Sequence, residues 1–150
     1  MKEIYYTYNN EAIASCVLLS AIQQTNEIDI ARSCLILPFL LDDRTVRNLN
    51  NINTKETSLE NFIKEQPRLF SSFNKRYLAL LPISINSLLL LNKSKQIQIT
   101  PNIFSKSDLS FTTANLGDRY NKIVEALPNL LNMIKEYSTP QLYQILKIQL

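Results

Sequence analysis

The 150-residue sequence carries one glycine (Gly117), no histidine, no tryptophan and two cysteines, with 16 basic against 13 acidic residues for a net charge of +3. Phosphate-wrapping loops need several glycines, which excludes a Walker-type loop and a dinucleotide fingerprint; without histidine there is no Ser-His-Asp or Cys-His pair and no imidazole ligand for zinc. An apolar content of 45% suffices for one compact domain, and the interspersed charges fall short of the concentrated basic face of a dedicated nucleic-acid binder.

Scarce glycine beside 24 leucines and 16 asparagines favours helices joined by Asn- and Pro-marked turns. The expected fold is mainly α with a small β wing: a winged-helix-like core plus a C-terminal helical arm over residues 118–150, all within a single domain. The N-terminus lacks the apolar stretch and cleavage site of a secretory signal, so a cytoplasmic location is expected. Tyr5, Tyr6 and Tyr8 with Ile4 suit an edge strand or docking arm better than base stacking. Asn9-Asn10 can cap a helix running to about Gln24, whose apolar residues surround the axis. A helix apolar all round is buried centrally or lies between the domain and a partner; in the second case Val17 and Leu18, with Tyr5 and Tyr6, form a partner interface.

Asp29 can cap a second helix through Leu41, kinked or broken near Pro38. A short helix follows over Arg44 to Leu49. Thr57-Ser58-Leu59-Glu60 matches a capping box for a helix to Glu65, and Pro67 suits the first turn of another reaching Leu81. Pro82 begins a third segment to Leu91, and the alternation of Gln96 to Thr100 predicts a strand. Helix, helix, turn and strand in that order is the pattern of a winged helix. From Pro101 to Phe111 the chain reads as return strand or loop, with Ile103 and Phe104 buried. Gly117-Asp118 opens a helical block kinked or restarted at Pro128, and Ser138-Thr139-Pro140 caps a terminal helix.

Few residues invite chemistry. Asp42-Asp43 is the only adjacent carboxylate pair; it reads as helix N-terminal charge, and a metal-dependent nuclease would need a third ligand. Cys16 and Cys34 lie in apolar runs that suit reduced, buried thiols. Phosphate contacts are candidates at Lys93 and Lys95 in the wing and at Lys75 and Arg76 upstream. The segment Ile83 to Leu91, which a winged helix would insert into the major groove, carries no charge, which argues against base reading. The charge-free stretch from Tyr77 to Asn92, interrupted by Pro82 and polar residues, is too short for a membrane span. No catalytic residue, metal or cofactor is expected.

The chain resembles the middle component of bacterial ABC-three-component (Lamassu-like) conflict systems over nearly its whole length. The likeness rests on the small-residue and leucine helix from Asn10 to Ile22, on CLILPFLLDDRTVRNL, and on SLENFIKEQPRLFSSFNKRYLALLPISINSLLLL, with a closing helix in STPQLYQILKIQL. It implies a non-catalytic, winged-helix-like adaptor of an antiphage defence complex, placed between an ABC or SMC-type ATPase and a toxic effector such as a nuclease. DNA would then be met through the complex. A free-standing winged-helix DNA-binding regulator is the alternative.

Overall fold

The computed structural model describes residues 2–53, 56–106 and 113–150, with side chains described for 11–53, 56–106 and 117–150. Helix α1 spans Lys2–Thr25. The N-terminal tyrosine run is therefore helical, and not the edge strand expected of it, because extending an existing helix adds a hydrogen bond per residue and outweighs a modest strand preference. Ala14, Val17, Leu18, Leu19, Ala21 and Ile22 are at most 1% exposed, which makes α1 the central element of the core.

After Asn26, held at φ 65°, come strand β1 (Glu27–Ile28) and the short helices α2 (Ile30–Ser33) and α3 (Ile36–Leu40). Asp29 caps α2 by accepting the Arg32 amide at 2.7 Å. The break expected near Pro38 falls at Cys34-Leu35, and so places the proline in the first turn of α3 where its missing N–H is not needed. Helix α4 (Asp43–Asn51) starts at Asp42, whose carboxylate accepts both the amide and the hydroxyl of Thr45. Helix α5 (Leu59–Glu65) is capped by Ser58, one residue later than the capping-box reading, and α6 (Pro67–Ser71) carries its proline at the first position.

Helix α7 (Phe73–Lys93) passes through Pro82 without a break, so no third segment begins there. Pro82 is exposed while Leu80, Ile83, Ser84, Ser87 and Leu88 on the opposite side are buried; that packing holds the helix together across one missing amide bond. The helix closes on paired bonds, Gln96 N–H to Leu91 C=O and Lys95 N–H to Asn92 C=O, with Lys95 at φ 65° where glycine is usual. Strands β2 (Ile97–Ile99) and β3 (Ile103–Ser105) follow as an antiparallel hairpin. Strand β1, unforeseen from the sequence, adds to β3 and gives a sheet of order β1-β3-β2. Ile103, opposite both Ile28 and Ile99, is its fully buried centre; Phe104 is only half-buried.

Helix α8 (Thr113–Ile134) is interrupted at Gly117, whose φ of 84° and ψ of −178° belong almost exclusively to glycine, and it runs unbroken through Pro128. Helix α9 (Thr139–Ile145) begins with a full capping box between Ser138 and Gln141. Helices α7 and α8 both pack on α1, α4 packs on α8, and α3 on α7. Phe39, Phe62, Phe70 and Phe73 join α3, α5, α6 and α7 in one aromatic cluster, with the closest ring centroids 4.8 Å apart. Arg32 ties the α8–α9 junction to α2: its guanidinium donates to Thr139 Oγ1 and to the carbonyls of Ile134 and Tyr137, while Asp29 accepts the Thr139 hydroxyl at 2.7 Å. Tyr143 of α9 adds a bond to the Ala31 carbonyl at 2.6 Å and a hydroxyl contact with Tyr77 at 3.0 Å. The described structure is thus mainly helical with one small antiparallel sheet, as composition suggests.

Candidate interaction surface

The carboxylates that drew attention in the sequence have structural roles. Asp42 caps α4, and Asp43 pairs with Arg119 of α8 at 3.2 Å, with Arg119 also donating to the Leu41 carbonyl. Among the described residues no three His, Cys, Asp or Glu side chains gather as metal ligands. Cys16 and Cys34 are free thiols, and burial pushes both above the usual thiol range, away from nucleophilic use near neutral pH. The groove between α4 and α8, about 480 Å³, mixes Arg47, Arg119 and Lys122 with Asp43 and Glu125; no single sign of charge would select a ligand there.

The four basic candidates separate. Lys75, Lys93 and Lys95 are exposed. Arg76 turns inward: Nε donates to the Pro38 carbonyl at 3.2 Å, Nη1 to the Leu69 carbonyl at 2.9 Å and to Ser72 Oγ at 2.8 Å, and the guanidinium lies 5.3 Å from the Phe73 ring centre. A cation so engaged with backbone carbonyls of α3 and α6 is a clamp between helices, and the structure sets Arg76 apart from the exposed lysines with which the sequence grouped it.

The interface candidates divide similarly. Tyr5 and Tyr6 stand in the part of α1 whose side chains lie outside the described ones. Val17 and Leu18 are fully enclosed by the chain itself, so neither can meet a partner in this conformation. Of the two meanings of an all-round apolar helix, α1 takes the central one.

Helix α7 differs from α1 in leaving one side open to solvent. Its inner half is core, yet its outer half is apolar as well: Leu78 is 44% exposed, Ile85 43%, Leu89 58% and Leu90 59%. With the exposed Pro82, positions 78, 82, 85 and 89 follow a 4-3-4 spacing and fall within about 60° of one another on the helical wheel at 3.6 residues per turn. The outer side of this helix carries an apolar stripe beside the exposed Asn86, and the fold leaves it uncovered. The signal was present in the sequence, as the uncharged run Ile83 to Leu91, although periodicity alone could not say which leucines face outward. Lys75 and Lys93, both exposed, bracket the stripe, and no carboxylate occurs anywhere on α7.

No helix among the described residues is long and apolar enough to cross a membrane, so an exposed leucine stripe here is not part of a spanning segment. No curated protein and no solved structure matches the chain. A family model does match, over residues 2–150, and its description is ABC-three component (ABC-3C) system Middle Component 3. With that match covering nearly every residue, the chain belongs to the Middle Component 3 family and is a middle component of an ABC-three-component system.

Proposed function

We propose that the protein is a non-catalytic cytoplasmic adaptor of a bacterial, Lamassu-like antiphage defence complex, coupling an ABC or SMC-type ATPase subunit to a toxic effector such as a nuclease. The observation that carries this reading is the outer face of α7: a single chain of a multi-component system that leaves half of an apolar helix in solvent is built to be covered. Asp42, Asp43 and the half-buried Arg76 and Arg119 are engaged in a cap, an ion pair and a clamp, which supports a scaffolding role. We read the chain as one winged-helix-like domain with residues 118–150 as an arm folded back on it; helices α1 and α7 with the β1-β3-β2 sheet support that reading.

The alternative, a free-standing DNA-binding regulator, would place α7 in the major groove, where the stripe of Leu78, Pro82, Ile85 and Leu89 carries no side chain that hydrogen-bonds to base edges. We therefore assign DNA engagement to other subunits of the complex. Co-expression with the products of the neighbouring genes and purification through a tag on this chain tests the adaptor reading. Stoichiometric co-elution of an ATPase and an effector is expected, and recovery of the chain by itself as a stable monomer would overturn it.

A further inference from the structure

We infer that the outer face of α7 receives an amphipathic helix of a partner subunit, one with an apolar seam and with carboxylates near both ends. The inference rests on the adaptor reading above and adds the chemistry of the occupant. Three observations on α7 carry it.

The first is spacing. Leu78, Pro82, Ile85 and Leu89 follow the alternating four- and three-residue steps of a two-helix seam, so a second helix can lay its own ridge along theirs over about three turns. The second is charge. Lys75 and Lys93 lie at the same angle around the axis, about 60° from Leu78, and 18 residues apart, or about 27 Å along the helix. Two exposed cations flanking an apolar strip, with no carboxylate on the same helix, match an occupant that brings negative charge to both ends. The third is what this pattern rejects. A second copy of α7 would set Lys93 against Lys75 if antiparallel, and like lysines against each other if parallel, so self-pairing meets repulsion in either direction.

The occupant is therefore a helix of roughly 18 residues from another subunit, held by leucine-type contacts at its centre and oriented by ion pairs at its ends. The central apolar contacts supply most of the affinity, and the lysines supply register and association rate.

The test uses the complex purified with the products of the neighbouring genes. Hydrogen exchange on the complex should protect α7 and one helical partner segment with apolar residues at three- and four-residue spacing and Asp or Glu at both ends. Ile85→Glu with Leu89→Glu should weaken association by at least about a hundredfold, and Lys75→Glu with Lys93→Glu by about tenfold, the latter restored by placing lysines at the partner segment's acidic ends. Should the first pair disturb folding by circular dichroism, Leu89→Ser by itself provides the test, with a loss of about tenfold expected.

A complex that forms undiminished with these variants overturns the α7 inference and leaves the adaptor reading standing. A protected partner segment that is basic or not helical also overturns it, as does self-association of the isolated chain abolished by Ile85→Glu with Leu89→Glu. Binding of the isolated chain to phosphatidylserine vesicles through α7 would overturn it in favour of a lipid surface. Absence of any associating neighbour defeats the adaptor reading itself, and with it this one.

Discussion

Replacing Arg76 by methionine keeps most of the aliphatic stem and deletes the guanidinium that joins three helices. The side chain donates three hydrogen bonds, to the Pro38 and Leu69 carbonyls and to Ser72, and stacks near the Phe73 ring. At about 1 kcal/mol net per bond, the loss is about 3 kcal/mol, with the contact over Phe73 adding about 0.5 kcal/mol. Methionine packing against Phe73 returns part of this, so the expected destabilisation is about 2–3 kcal/mol. For a domain of this size that lowers Tm by about 4–12 °C, measurable by thermal unfolding and as a lower urea midpoint at unchanged m-value. Lys75→Met on the exposed side of the same turn should leave Tm within about 1 °C. An Arg76→Met protein as stable as its parent would refute the clamp, and would return Arg76 to the list of surface cations.

Three further outcomes follow from backbone conformation and burial. Gly117→Ala meets no steric neighbour, but forces alanine to φ 84° and ψ −178°; a loss of about 1–3 kcal/mol in urea unfolding is expected, and an unchanged midpoint would show that the kink relaxes freely. Lys95→Gly removes the strain of a left-handed side-chain residue at the end of α7 and should raise stability by about 0.5–1 kcal/mol, whereas a fall would contradict the capping geometry. Burial, and then the hydroxyl contact with Tyr77, push the Tyr143 phenol well above its ordinary value. Because the folded form resists losing that proton, the phenol's contribution is complete below the unfolded value of about 10 and falls away as pH rises above it. Unfolding titrations at about pH 9 and pH 11 should therefore show a smaller alkaline loss in Tyr143→Phe than in the parent; equal losses would exclude Tyr143 as a source.

Local chemistry was legible wherever one residue decides the backbone. Asp29 and Ser138 cap helices where expected because a short acceptor side chain reaches the orphan amides, the Thr57-Ser58 reading missed its cap by one residue, and the Gln96–Thr100 alternation names a strand because its period is unmistakable. Pro82 misled because tertiary packing outweighed a local cost: it lies inside α7 where the buried residues around the other side hold the helix together, whereas the break expected near Pro38 is present at Cys34-Leu35. Strand β1 has two residues and exists only because β3 lies beside it, so no window of sequence could announce it.

The candidate surface was half legible. An uncharged leucine-rich segment was evident, but which helix ends up central and which is left with an open side depends on packing order. Val17 and Leu18 of α1 and Leu89 and Leu90 of α7 occupy similar leucine-rich runs, yet the first pair is enclosed and the second is more than half exposed. Arg76 and Arg32 were unreadable for the same reason: their acceptors are carbonyls 7 to 38 residues away in one case and 102 to 105 residues away in the other.

The measurement closest to the central proposal asks whether the chain bridges. The products of the neighbouring genes should be co-expressed with the intact chain, without it, and with Ile85→Glu plus Leu89→Glu, and the material purified through a tag on the proposed ATPase subunit weighed by light scattering. A bridging middle component predicts an ATPase–chain–effector assembly in the first case and no effector on the ATPase in the second. In the third the chain stays attached to at most one of the two. An effector that binds the ATPase equally well in its absence would contradict the account.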